Sequence, residues 1–282
     1  MKVKTNHLTT NHLSTLSPTR YQLLLSLLHI MKQWKIKEVD VALIGELSAK
    51  TGYSEILTTI FLQKKIDTPQ QIEKFIHPQI ADMHSPFLFS DMEKAVNRIR
   101  TAIDKKEKIL IYGDHDVDGV TSTSIAYLYL KELDANVCWH ISSGEVYGIY
   151  NELIEKCKED NVGLIITVDC GITAVEQVNM ANTFGIDVII TDHHEAPSEL
   201  PKAVAIINPK CPHEKYPFRE LAGCGVAFKL FQALAFSYSD CYDKDKDKAV
   251  LDVADIKQQK FIDDYLYLVA LGTVADVAPL VS

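Results

Sequence analysis

From residue 109 to residue 207, short unbroken apolar runs alternate with longer stretches whose apolar residues recur every three or four positions. The runs Ile109–Tyr112 (ILIY), Val137–Ile141, Leu164–Val168 (LIITV), Val188–Thr191 (VIIT) and Ala203–Ile207 predict buried strands. Between them, Thr121–Leu133, Tyr150–Glu159 and Thr173–Phe184 predict helices, with Ala174, Val178 and Ala181 on one face of the last. Strands alternating with helices predict an α/β fold built on a doubly wound, mostly parallel sheet. A small helical region precedes it, over residues 31–105. There Ser54 is positioned to cap a helix over Ser54–Lys64, and Thr68-Pro69-Gln70 marks a second helix start. Asp91–Lys105 is amphipathic through Met92, Val96, Ile99 and Ile103. Downstream, Val226–Phe236 and Phe261–Leu271 predict helices, and Asp240–Lys248 (DCYDKDKDK) a charged loop. The expected organisation is an extension over 1–30, the helical region over 31–105, and the α/β domain over 106–282.

Composition narrows the function classes. With 282 residues, 47% hydrophobic and 24% charged, the chain is long enough for a sizeable core and is neither disordered nor collagen-like. No apolar run approaches the roughly 18 residues of a spanning helix, so no membrane partner is expected. The apolar stretch Tyr21–Ile30 follows a mostly polar segment and lacks a small-residue cleavage site, which argues against export. Six cysteines, at 138, 157, 170, 211, 224 and 241, form no CxxC pair. Free thiols and a cytoplasmic location are expected. The net charge of −9 removes a global basic footprint for nucleic acid. It does not exclude a nucleic-acid enzyme, because metal-holding carboxylates count as negative until the metal binds.

The chemistry gathers where sheets of this class bind ligands, beyond the carboxyl ends of the strands. The first strand runs into Gly113-Asp114-His115-Asp116-Val117-Asp118-Gly119. If the chain stays extended, the three aspartates share one side and need a cation to offset their repulsion. The third strand ends in Asp169-Cys170-Gly171 and the fourth in Asp192-His193-His194. Carboxylates with imidazole suit manganese. Asp276, in an apolar context, is either a helix cap or a ligand. Thr121, Ser122 and Thr123 are expected to open the helix after the first motif, where they either bind phosphate or cap the helix. Gly223-Cys224-Gly225 either approaches a phosphate or forms a tight turn.

The stretches ILIYGDHDVDGVTST, LIITVDCGITAVEQ, VIITDHHEAP, INPKCPHEKYPFRELAGCGVAFKL and LVALGTVADVAPL resemble, in order, the motifs of the DHH phosphoesterase superfamily. Within it they are similar to the RecJ single-strand-specific exonucleases. The resemblance covers roughly residues 60–282 and includes IDTPQQIEKFIHPQIADMHSPFLFSDMEKAV ahead of the first motif. It implies a site for two ions, Mn²⁺ or Mg²⁺. The metal ligands it implies are Asp114, Asp116, Asp118, Asp169, His193 and Asp276. Asp169 bridges the ions, His194 is set against the scissile phosphate or a ligand, and Asp192 orients a histidine. Thr121, Ser122, Gly223 and Gly225 are the implied phosphate contacts. The implied reaction is removal of 5′-mononucleotides from single-stranded DNA in the 5′→3′ direction, for DNA repair and recombination.

Two departures stand out. Relatives carry an arginine-containing Gly-Tyr-Gly segment after the second strand, whereas Ile141–Gly148 is shortened and lacks arginine. RecJ proteins also continue with a second DHH-associated domain and an OB-fold, which this sequence is expected to lack. A separate chain would then supply those C-terminal domains. The competing readings are a phosphoesterase of short oligonucleotides or cyclic dinucleotides, and a metal-binding remnant without turnover.

Overall fold

The computed structural model describes residues 37–144, 148–239 and 256–281. The expected extension over 1–30, the loop over 240–248 and residues 145–147 lie outside the described residues. Two compact units divide at His77 and Pro78.

Among the described residues, the first unit carries the helices α1 (Val41–Thr51), α2 (Glu55–Gln63) and α3 (Pro69–Ile76). Ser54 caps α2 as expected. Thr68 caps α3 in a reciprocal pair with Gln71, and Pro69 occupies the first turn. Leu47, Phe61, Leu62, Ile66 and Ile72 are buried there.

The second unit begins with α4 (Met92–Asp104). Its pattern grouped it with the preceding helices, but Met92, Ala95, Val96, Ile99 and Ala102 are buried in the same core as the strands. The helix therefore belongs to the second compact unit, which opens at Pro78. Then follow β1 (Lys108–Gly113), α5 (Val117–Glu132), β2 (Val137–Ile141), α6 (Asn151–Glu159) and β3 (Val162–Val168). The unit continues through α7 (Val175–Thr183), β4 (Asp187–Thr191), β5 (Ala205–Ile207), α8 (Gly223–Phe236) and α9 (Ile256–Ala275).

All five strands are parallel, in the order β2-β1-β3-β4-β5. Alternation along each strand separates two cores. Ile109, Ile111, Leu164, Ile166 and Ile189 face α4, α5, α8 and α9, whereas Leu110, Tyr112, Ile165, Val188 and Ile190 face α6 and α7. Because β1 hands the chain outward to β2 and α6 carries it back to β3, the winding reverses between β1 and β3.

The strand registers end level. Ile141, Gly113, Val168, Thr191 and Ile207 pair across the sheet in one row. The next residue on each strand is polar and buried: Ser142, Asp114, Asp169, Asp192 and Asn208. The backbone ladder continues into this rim, with Ser142 N–H on Gly113 O, Asp169 N–H on Thr191 O and Asp192 N–H on Ile207 O at 3.0–3.1 Å.

Candidate metal centre

The rim gathers the predicted ligands at the topological switch point. Beyond β1 the chain does not stay extended. Asp116 is the N-cap of α5, its carboxylate accepting from Gly119 N–H at 2.9 Å, and Asp118 lies in the first turn. The helix begins at Val117, four residues ahead of the expected Thr121. Close approach drives this turn: a Cβ on Gly119 would sit 2.4 Å from Asp114 O.

Three groups of side chains bring one potential ligand atom each within 4.8 Å of one another: Asp114 with Asp116 and Asp169, Asp118 with His193 and Asp276, and Asp169 with His193 and His194. The first two share no residue. They meet where His193 Nε2 lies 3.1 Å from Asp169 Oδ1 and 3.8 Å from Asp118 Oδ2. All six predicted metal residues fall in these groups.

Asp169 is strongly perturbed. Its backbone takes φ 61°, a left-handed conformation that costs a non-glycine residue energy, at a buried strand end. Its Oδ1 is buried and receives no hydrogen bond. Burial, then the charges of Asp118 and Asp116, push its carboxyl up to about 10. Burial and the same two carboxylates also raise Asp276, with His193 and His194 acting against them. A buried carboxylate oxygen without a donor, among acids that resist sharing their charge, fits a cation. The oxygen and imidazole donors suit manganese or another hard divalent ion.

Two residues are tied into the backbone. Asp118 accepts from Gly223 N–H at 2.6 Å and Cys224 N–H at 2.8 Å, one oxygen to each, so its charge sits on the N-terminus of α8. Asp192 is fully buried. Its Oδ1 accepts from His193 N–H, His194 N–H and His194 Nδ1, and its Oδ2 from Ile172 N–H, all at 2.7–3.1 Å. Burial opposes its ionisation, but the bonds and charge from His194 and the backbone N–H groups hold it below the usual carboxylate range. The hydrogen bond to Asp192 in turn raises His194. Asp192 thus orients a histidine, and that histidine is His194.

The expected phosphate contacts are placed differently. Thr121 and Ser122 lie in the second turn of α5 and are buried, with their hydroxyls donating to the carbonyls of Val117 and Asp118. Gly223 has its N–H committed to Asp118, and a Cβ there would lie 2.4 Å from Asp169 Oδ1. Gly225 packs on Leu221. The two glycines therefore serve close packing of α8 around the acids. Sequence reasoning missed Ser142 and His115, both of which hydrogen-bond to Asp114. His115 lies inside the quoted first motif, but Ser142 had no signal short of knowing the strand register.

The profile described as DHH family, N-terminal domain, matches residues 108–273, more than half of the chain. The chain belongs to the DHH family. Among curated DHH proteins, the single-stranded-DNA-specific exonuclease RecJ of Bacillus subtilis is 39% identical over 250 residues, covering 88% of this chain and 29% of that protein. RecJ of Escherichia coli is 33% identical over 229 residues, covering 80% and 37%. The crystal structure of RecJ in complex with Mn²⁺ from Thermus thermophilus superposes with a TM-score of 0.64 at 25% identity, covering 86% of this chain and 31% of that one. The chain thus spans less than two-fifths of the length of these relatives. Among the described residues, no helix is long and apolar enough to cross a membrane.

Proposed function

We propose that this chain carries the phosphodiester-hydrolysing site of a RecJ-type exonuclease. The reaction is removal of 5′-mononucleotides from single-stranded DNA, 5′→3′, in DNA repair and recombination in the cytoplasm. The observation that carries the reading is the pair of ligand triads, Asp114–Asp116–Asp169 and Asp118–His193–Asp276, meeting at the Asp169–His193 contact.

Each triad has the composition to hold one divalent ion, Mn²⁺ or Mg²⁺, and Asp169, beside His193, would serve both. Bound ions supply positive charge against the phosphate oxygens and make a strong oxygen nucleophile available at neutral pH. The chain's residues do the rest. Asp192 fixes His194 through Nδ1, which presents Nε2 as the nitrogen to meet a phosphate oxygen. The α8 N-terminus holds Asp118 in place through Gly223 N–H and Cys224 N–H, and the buried rim excludes water behind the acids. The region that the longer relatives carry outside the matched stretch would grip the strand.

The test is hydrolysis of 5′-labelled single-stranded DNA with Mn²⁺, comparing the wild type with Asp169→Ala. Mononucleotide release by the wild type alone is expected. Cleavage confined to short oligonucleotides or cyclic dinucleotides would replace the substrate, and Mn²⁺ binding without turnover would leave a metal-binding remnant.

A further inference from the structure

Asp114 is gripped at one of its two oxygens. Oδ1 accepts from Ser142 Oγ at 2.9 Å and from His115 Nδ1 at 3.0 Å. Both bonds fall on that oxygen, and Asp114 also offers one carboxylate oxygen to the triad with Asp116 and Asp169. An ionised carboxylate only accepts, so Nδ1 of His115 carries the proton.

Both donors are themselves fixed. Ser142 follows β2 in the polar rim, is buried, and is locked by its own N–H on Gly113 O. The His115 ring lies against Gly144, where a Cβ would come within 3.1 Å of its Cδ2 and Nε2. The start of the shortened, arginine-free segment is thereby wired to the first motif.

We propose that Ser142 and His115 are positioning residues for the ion of the Asp114–Asp116–Asp169 triad, turning the Asp114 carboxylate toward it. This rests on the two-ion reading above. Donors that orient a ligand typically change metal affinity 10–100-fold when removed. Ser142 is buried, so water cannot replace its hydroxyl. The His115 side chain is 54% exposed, so water can partly replace its N–H.

The experiment is Mn²⁺ titration of the full chain, by calorimetry and by the paramagnetic resonance of free Mn²⁺, for Ser142→Ala, His115→Phe and His115→Asn. Two wild-type binding events test the two-ion reading on their own. Given two, Ser142→Ala should weaken one of them about tenfold or more and leave the other, at Asp118–His193–Asp276, unchanged. His115→Phe should weaken the same event less, and His115→Asn, which keeps a donor, should restore it. Unchanged affinity in Ser142→Ala and His115→Phe would overturn the inference. So would an equal fall at both sites, or a His115→Asn no better than His115→Phe.

Discussion

Replacing Gly223 with alanine puts the proximity of α8 and Asp169 to a direct test. The added Cβ would stand 2.4 Å from Asp169 Oδ1, 2.6 Å from its Cβ and 2.7 Å from its Cγ. Carbon contacts settle at about 3.5–4.0 Å, so helix or aspartate must retreat by on the order of 1 Å. Neither can move alone without loss. Asp169 is held by its strand-end backbone and its N–H on Thr191 O, while Gly223 N–H holds Asp118. Overpacking of this kind costs roughly 1–3 kcal/mol of stability, and a misplacement of about 1 Å in a catalytic constellation costs on the order of 100-fold in rate. Gly223→Ala should therefore bind Mn²⁺ about tenfold or more weakly and lose about 100-fold of any Mn²⁺-dependent hydrolysis, while still folding cooperatively. Gly225→Ala is the control, because its nearest contact would be Leu221 Cδ2 at 3.2 Å, a side chain able to shift. Calorimetric Mn²⁺ titration, thermal melting and nucleotide release read all three effects. If Gly223→Ala binds and hydrolyses as the wild type does, the close approach is not what fixes the two acids, and the reasoning fails.

Other consequences are as direct. With its carboxyl pushed up to about 10, Asp169 is expected to hold a proton at pH 8 in the metal-free chain and to give it up to the buffer when an ion binds. Mn²⁺ titrations in buffers of different ionisation heat should show this release, and Asp169→Asn should reduce it. Asp192→Asn sets an amide N–H against groups that already donate. It should cost about 2–3 kcal/mol by denaturant titration, and stability within 0.5 kcal/mol of wild type would contradict the network. Lys229 is buried, donates to His84 O and Gln232 Oε1, and is lowered by burial from 10.5 to about 7. The unfolded chain binds that proton more tightly than the folded one between these values, so stability gains from this group as pH rises from about 7 to 10.5. The difference in melting temperature between wild type and Lys229→Met should shift in favour of the wild type over that window, and parallel pH profiles would refute it.

The sheet was legible because each strand is an apolar run flanked by helical periodicity, and the ligands because they stand where those runs stop. Local pattern could not show how α5 begins. Three alternate aspartates resemble an extended chain until Asp116 is seen to cap Gly119 and wind the third into a helix. The surroundings of Thr121, Ser122 and Gly223 were hidden for a related reason. Their polar groups are consumed by backbone or by a carboxylate more than a hundred residues away, as Gly223 is by Asp118. The packing partner of α4 was hidden in the same way, since its apolar face fits a helical bundle as well as a sheet. Ser142 becomes visible only when the strands are aligned and their ends form one row.

The second triad draws its ligands from the start of α5, the end of β4 and the residue just past α9. An ion seated there would join three stretches that the unfolded chain keeps far apart, and would close two long loops as a cross-link does. Binding and folding would then share one equilibrium. An ion at about a hundred times its dissociation constant adds about 2.7 kcal/mol to the folded state. The chain would be hardest to unfold or digest where manganese is plentiful, and a chelator would act on it as a mild denaturant.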